Sequence, residues 1–397
     1  MSAAQDAQGD VYARTGLPEL GFRNYWYPVL AAWRLRRRPK AIRIMGQDIV
    51  LFRDAGKVFA LRNRCPHRGA RLSQGRPLYP GSATLSCPYH GWTYSGETGR
   101  CVARLMEGPD AKISNDAVVK SYPVRVHRGV IWLFVGDMDA VPLEDDLPES
   151  MADAKDWHGI STWRTYNCNW RVLKDNLCHD QHAPFLHRTA PELVFQPLFP
   201  HAGRISAEPL ANGKGIGYVA GKGVNEADYP GLGRFPPRSE SWYRVLRPVG
   251  RGKEIDPETS PAAVRHGIRH RQMSLLPSVT LIGRPSGEYF MCRWITPVDE
   301  KTTLYYTFSL FRRRGKLRTL IDRVGWVFWL SWAHDWLFSD QDKRILDNIE
   351  TKSELLSAND TGVAAWRRFA AANARRPPEA TEAAEKATPE ALGSAAE

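Results

Sequence analysis

Two short stretches, Cys65-Pro66-His67 and Cys87-Pro88-Tyr89-His90, constrain this chain of 397 residues more than anything else in it. Each holds one thiol and one imidazole on either side of a proline, in a chain with only six cysteines. Nineteen residues separate them, so four soft ligands meet only if the chain doubles back and presents both loops at one edge. The surroundings supply such a scaffold. "AIRIMGQDIVLFRDAGKVFALRN" reads as three short strands with turns at Gly-Gln-Asp and Asp-Ala-Gly-Lys, and "YPVRVHRGVIWLFVG" as a hairpin around Arg128-Gly129. A small antiparallel β domain with both loops at its edge follows.

Two thiolates and two imidazoles bind metal if the loops meet. Zinc in a Cys2His2 set is one reading. Zinc fingers, however, pair the cysteines first and the histidines later, whereas each loop here contributes one of each. That order suits a two-iron, two-sulfide cluster with Cys65 and Cys87 on one iron and His67 and His90 on the other. Neutral imidazoles in place of anionic thiolates raise the potential of such a Rieske cluster to roughly −150 to +300 mV. Pro66 and Pro88 stiffen the loops, and Gly69 and Gly91 let backbone approach. Cys101, Cys168, Cys178 and Cys292 have no such partners and read as small buried hydrophobes.

Several classes are set aside by composition. With 43% apolar and 25% charged residues the chain is ordinary soluble globular protein, and six cysteines at this length make no disulfide framework. The opening "MSAAQDAQGD" carries neither a basic nor an apolar secretory region. The most apolar run, residues 324–338, contains His334 and Asp335 and is too short to span a bilayer. A reducing bacterial cytoplasm is the expected compartment. The net charge of +12 suits an acidic partner. Basic residues are spread along the chain without a nucleic-acid motif, so no nucleic-acid partner is expected.

A second constellation lies in "DNLCHDQHAPFLH", which places His182 and His187 five residues apart. On an undisturbed helix that offset is about 140°, too wide for one ion. Pro184 cannot donate to the carbonyl of Asp180, so the helix is expected to break or bulge between the histidines and let the rings converge. Two histidines and one carboxylate form the open facial site of non-haem Fe(II) oxygenases. "FSDQDKRILDNIE" offers Asp340, Asp342 and Asp347 as the carboxylate. A cluster joined to an open iron site implies stepwise reductive activation of dioxygen.

The expected architecture is α+β. A loose arm over 1–22 precedes an all-β cluster domain over 23–148, closed by the acidic joint "DAVPLEDDLPES". A catalytic domain of antiparallel strands and helices follows over 149–375, with 316–355 helical, and then a disordered Ala/Glu/Pro-rich tail over 376–397. "RRRGKLRTLIDRVGWVFWLSW" reads either as a basic amphipathic surface touching membrane or an acidic partner, or as a core helix after a solvated charge run. The core helix is the expectation adopted. The iron pocket is expected from residues 195–335, whose Phe, Trp, Leu and Ile favour a bulky apolar or aromatic substrate.

These residues together resemble the Rieske non-haem iron ring-hydroxylating oxygenases, in particular their terminal oxygenase (alpha) subunit. "LGFRNYWYPVL", "NRCPHRGARLS", "CPYHGWTY", "NWRVLKDN" and "AAWRRFA" carry the resemblance over nearly the whole chain. The ends look closest to the branch that includes the carbazole dioxygenase terminal oxygenase, and "DNL" is similar to O- and N-demethylating members. The resemblance implies Cys65, His67, Cys87 and His90 as cluster ligands and His182, His187 and Asp342 as iron ligands. Asp342 is preferred over Asp340 because family members place an acid five residues after the ligand, matched by Asp347. It also implies a helix-grip catalytic domain, a head-to-tail homotrimer, and electrons from NAD(P)H through a reductase and a ferredoxin.

One position departs from the pattern. The family's bridging acid, three residues before the first iron histidine, is here His179. A neutral imidazole has one acceptor nitrogen and cannot copy a carboxylate that accepts from two rings. Asp175, His179 and His182 share a helix face, so an Asp175–His179 relay is the expectation, with Asp180 as a substitute bridge the alternative. Asn176 reads as a hydrogen-bonding neighbour of the iron rather than a ligand. The function expected is dihydroxylation of a bulky aromatic or polycyclic compound. The alternatives are monooxygenation, including O- or N-demethylation or attack on a terpenoid or steroid-like substrate, and an electron carrier or zinc-binding protein without oxygenase activity.

Overall fold

Three two-residue turns shape the front half of the protein. Met45-Gly46, Ala55-Gly56 and Arg128-Gly129 hold both residues at positive φ, 48° and 70°, 45° and 81°, and 48° and 73°. That backbone matches the twist of tight hairpins. The first two turns join Lys40–Ile44, Gln47–Asp54 and Lys57–Arg62 into one antiparallel sheet. The third joins Val124–His127 to Val130–Val135, which also pairs with Tyr25–Ala31. A third small sheet, Thr84–Ser86, Trp92–Ser95 and Cys101–Arg104, carries the second cysteine–histidine loop between its first two strands. The computed structural model describes residues 11–178, 182–187, 189–190, 201–202, 205–220, 223–224, 270, 272–283 and 289–377.

The back half is built on a seven-stranded antiparallel sheet. Its order is Trp157–Tyr166, Thr303–Arg312, Tyr289–Pro297, Val279–Gly283, Gln272–Leu275, Gly215–Ala220 and Ile205–Pro209. Helix α1 (Trp170–Asn176) and the single turn α2 (Ala183–Leu186) follow the first strand. Beyond the sheet, α3 (Lys316–Gly325) runs through π-helical turns over Trp326–Phe338 into α4 (Ser339–Leu346), and α5 (Thr361–Asn373) packs on the last two sheet strands. Asn169 caps α1 by accepting the Arg171 N–H at 3.0 Å. Lys174, fully buried on α1, donates to Ser274, Thr280 and the carbonyl of Val279, each at 2.8 Å, and ties α1 to the sheet. The α+β class is as expected.

One apolar core runs through both halves: Trp132 meets Trp294 edge-on at 4.7 Å and Phe308 face-on at 5.7 Å. A second core holds Cys65 and Cys87 with Phe52, Leu72 and Tyr94. All six cysteines are buried and unbridged. Burial pushes the Cys168 and Cys178 thiols up to about 12, which keeps them unreactive.

Four expectations need correction, and two fall largely outside the described residues. The arm is not loose from residue 11 on, because Tyr12, Leu17 and Phe22 are buried in the main core. The acidic joint forms two helical turns, Leu143–Asp146 and Glu149–Ala152, and buried Asp146 pairs with Arg375 at 2.6 Å. The helix expected to reach 355 ends at Leu346. The segment read as a core helix is instead exposed along α3 and the turns after it, where Leu317, Leu320 and Phe328 face solvent. Its basic run and much of its apolar arc face outward. Most of the expected tail, from 378, and much of the expected pocket, including 225–269, lie outside the described residues.

Candidate metal centres

The first centre is built by two tight reversals. The Cys65 N–H donates to Ala70 O at 2.9 Å and the Gly69 N–H to Cys65 O at 2.8 Å. In the second loop the Cys87 N–H donates to Trp92 O at 2.8 Å and the Gly91 N–H to Cys87 O at 3.2 Å. Gly91 has φ 65°, and a Cβ there would sit 3.0 Å from Leu105 Cβ, so the turn demands glycine. Both sulfurs face inward, with Cys65 1% and Cys87 5% exposed, while His67 is exposed and His90 half-buried. The two imidazoles lie 4.7 Å apart, and His67 stacks on Trp92 at 4.7 Å. Arg104 covers the Trp92 ring at 4.1 Å.

This donor set fits a binuclear cluster. His90 Nδ1 is buried without a hydrogen-bond partner, a costly state unless it serves as a ligand. Burial, with the neighbouring Cys65, pushes the Cys87 thiol up, so the sulfurs form one pair as the rings form another. Around one tetrahedral zinc, all four donor atoms would lie within about 4 Å of one another. Among the described residues only His182, His187 and Asp342 gather three or more such donors, with ligand atoms all within 4.8 Å. The four loop ligands form no such group, and the order of one thiol and one imidazole in each loop fits two irons better than one zinc.

Tyr94 OH lies 3.1 Å from Cys65 Sγ. A donor to a cluster sulfur stabilises the reduced, more negative state. Tyr94→Phe is expected to lower the cluster potential by ~40 mV, the one-electron equivalent of about 1 kcal/mol. Redox titration followed by EPR measures it, and an unchanged potential would deny Tyr94 that role.

At the second centre the chain differs from the expected broken helix. Helix α1 ends at Asn176, and His182 caps a new helical turn over Ala183–Leu186 that ends at His187. Pro184 thus lies in the first turn of a helix, where its missing N–H costs nothing, and does not interrupt one. The two rings come to 5.1 Å. Asp342, buried on α4, places Oδ1 3.5 Å from His182 Nε2 and 3.2 Å from His187 Nε2. Burial opposes ionisation of Asp342, but bonds and charge from both histidines outweigh it and hold the carboxyl well below its usual range.

Neighbouring side chains fix these groups. His187 Nδ1 donates to Gln341 Oε1 at 3.0 Å, and Gln341 Nε2 donates to Thr189 Oγ1 at 2.8 Å. That bond turns His187 Nε2, buried, toward Asp342 Oδ1, so that ring nitrogen and carboxylate can share one ligand. Asn176 Nδ2 donates to Asp342 Oδ1 at 3.1 Å. The other acids turn elsewhere: Asp340 pairs with Arg344 at 2.9 Å, and Asp347 accepts from Asn167 N–H at 2.8 Å. Two imidazoles and one carboxylate on one side of a cation leave coordination positions open, which fits a mononuclear iron.

Residues 25–123 match the Rieske [2Fe-2S] domain. Over 381 residues the chain is 29% identical to the terminal oxygenase component of carbazole 1,9a-dioxygenase from a Sphingomonas species, across 90% of this chain and 93% of that one. This chain carries a Rieske [2Fe-2S] domain and is similar over nearly its whole length to a terminal oxygenase subunit of the Rieske non-haem iron oxygenases. The chain is also 37% identical over 171 residues to the 4beta-methylsterol monooxygenase of Methylococcus capsulatus, across 42% of this chain and 44% of that one. Its fold matches the oxygenase in a reduced oxygenase–ferredoxin complex of carbazole 1,9a-dioxygenase, with a TM-score of 0.71 at 22% identity across 94% of this chain and 96% of that one. The cofactors of this oxygenase are a [2Fe–2S] cluster and a mononuclear non-haem iron.

His179 and Asp180 lie outside the described residues. Asp175 is described, and its carboxylate accepts from Tyr12 OH and from Arg367 Nη2, each at 2.7 Å. Those partners lie 163 and 192 residues away in sequence, so helix spacing alone pointed to His179 instead. Gln341 and Tyr94 were also missed. Tyr94 closes the "CPYHGWTY" motif, and Gln341 adjoins Asp342, so adjacency was the signal available.

Proposed function

We propose that this oxygenase receives electrons from NAD(P)H through a reductase and a ferredoxin and hydroxylates or dihydroxylates a bulky aromatic or polycyclic hydrophobic substrate. The convergence of His182, His187 and Asp342 in the same chain as the cluster loops carries the reading. In this assignment Cys65, His67, Cys87 and His90 hold the cluster, and His182, His187 and Asp342 hold the iron. Once bound, the cluster supplies single electrons and the iron supplies the place where dioxygen meets the substrate. Gln341 keeps the His187 proton on Nδ1, and Asn176 holds Asp342 Oδ1 in position. A homotrimer, with the exposed His67 edge of one subunit against the iron half of the next, gives the electron a short route. Six unbridged thiols suit a reducing cytoplasm.

The ferredoxin assignment rests on charge as well as on the relative solved with one. A hollow of about 470 Å³ beside His67 is lined by Arg62, Arg64, Arg68 and Lys120, a basic surround for an acidic carrier. Turnover with ferredoxin is expected to fall as ionic strength rises, and Arg68→Glu to slow association roughly tenfold at low salt. Steady-state rates across a salt series measure both, and rates indifferent to salt would count against this surface.

Monooxygenation of a terpenoid or steroid-like substrate is the second reading, favoured by the 37% identity to the methylsterol monooxygenase. A substrate screen with reconstituted reductase and ferredoxin under ¹⁸O₂ separates the two. Two labelled atoms in the product support dihydroxylation; one atom or a lost methyl supports the second. Oxygen uptake that no aromatic, polycyclic or steroid-like compound stimulates would overturn both.

A further inference from the structure

We propose that the exposed face of α3 and the π-helical turns after it docks on an anionic phospholipid surface. Leu320, Val324, Phe328, Trp332 and Trp336 recur every four residues along this continuous helix, and all are exposed, Phe328 by 78% and Trp336 by 66%. So large an apolar stripe on a folded protein marks an interaction surface. No described helix is long and apolar enough to cross a membrane, so the stripe lies on a bilayer and does not span it.

The charges beside the stripe select the occupant. Arg312, Arg313, Arg314, Lys316, Arg318 and Arg323 crowd its beginning, and the only acid between 312 and 332 is Asp322. Asp322 is buried and engaged by Arg318 at 2.9 Å and His158 at 3.3 Å, so it offsets Arg318 and leaves the net charge of the run positive. Arg313, Lys316, Thr319 and Arg323 line a hollow of about 310 Å³ next to the apolar residues, room for a headgroup phosphate. A second copy meeting this face symmetrically would oppose cation to cation, and head-to-tail the His67 edge of the next subunit, lined by Arg62, Arg64, Arg68 and Lys120, would bring more cations. An anionic bilayer complements both parts, phosphates against the arginines and acyl chains against the leucine, phenylalanine and tryptophans. Tryptophan rings favour that boundary because they join an apolar body to a polar N–H. The surface would hold the enzyme where membrane-dissolved apolar compounds collect.

The test is cosedimentation of the holoenzyme with phosphatidylcholine vesicles, with and without phosphatidylglycerol. Wild type is expected to bind the phosphatidylglycerol vesicles and to release as salt rises. A Phe328→Ser/Trp332→Ser variant and a Lys316→Glu/Arg323→Glu variant are each expected to partition about tenfold less, with cluster absorbance unchanged. Should a variant fail to fold, quenching of wild-type tryptophan fluorescence by brominated lipid gives the same answer. Absence of binding and quenching overturns the proposal. So does equal binding by both folded variants, or a wild-type assembly that shrinks in the Phe328→Ser/Trp332→Ser variant without any vesicle binding, which would mean another copy covers the face.

Discussion

Replacing Asp342 by alanine is expected to abolish oxygenation while leaving the cluster in place. Asp342 is the only described acid that joins His182 and His187, and it is 4% exposed. Its removal leaves two imidazoles to hold a dication. Loss of an outer hydrogen-bond partner typically costs 10–100-fold in metal affinity, so loss of a ligand should exceed roughly a hundredfold. Iron content is expected to fall from about three to about two per chain with sulfide unchanged. Gln341→Ala, which frees the His187 ring without removing a ligand, should fall in the milder range. Metal analysis beside cluster absorbance gives both results. Retention of the third iron in the Asp342→Ala protein would move the carboxylate assignment to another acid.

Asp175→Ala is expected to destabilise the protein by about 2 kcal/mol, because it removes one of the two carboxylates that hold Arg367 and an acceptor of the Tyr12 hydroxyl. Arg367 holds Asp175 and Glu354 together and lies 4.9 Å over the Tyr12 ring, so the segment at residue 12 depends on the same cluster. Burial pushes the Asp175 carboxyl above its ordinary range despite the bonds to Arg367 and Tyr12. Burial works against the charge on Arg367 too, but its bonds to Glu354 and Asp175 outweigh it. The desolvation thus falls on the acid, and removing it leaves a cation beside one remaining carboxylate. Urea unfolding measures the loss. A slowed cluster-to-iron transfer in single turnover, with unchanged stability, would restore the relay to His179.

The sequence carried most of the chemistry and less of the packing. Cys65, His67, Cys87 and His90 were legible because cluster ligation is local, two residues in each of two turns, and the strands around them alternate with hairpin signals at Gly46, Gly56 and Gly129. His182 and His187 were legible as a pair, but not their local structure: whether Pro184 breaks a helix or begins one depends on where the preceding helix ends, and Asn176 ends it early. The partners of Asp175 were invisible because they come from opposite ends of the chain. The stretch after Arg314 misled for a different reason. A tryptophan-rich helix looks the same in sequence whether its apolar side chains are covered or face outward, and only the folded chain shows Leu317, Leu320 and Phe328 exposed.

Trp132, from the strand after the Arg128-Gly129 turn, lies edge-on against Trp294 in the centre of the large sheet. The front half is therefore not a detachable cassette. Exchanging that half for a relative's would part Trp132 from the Trp294 it packs against here, so a graft must carry the facing surface of the large sheet with it.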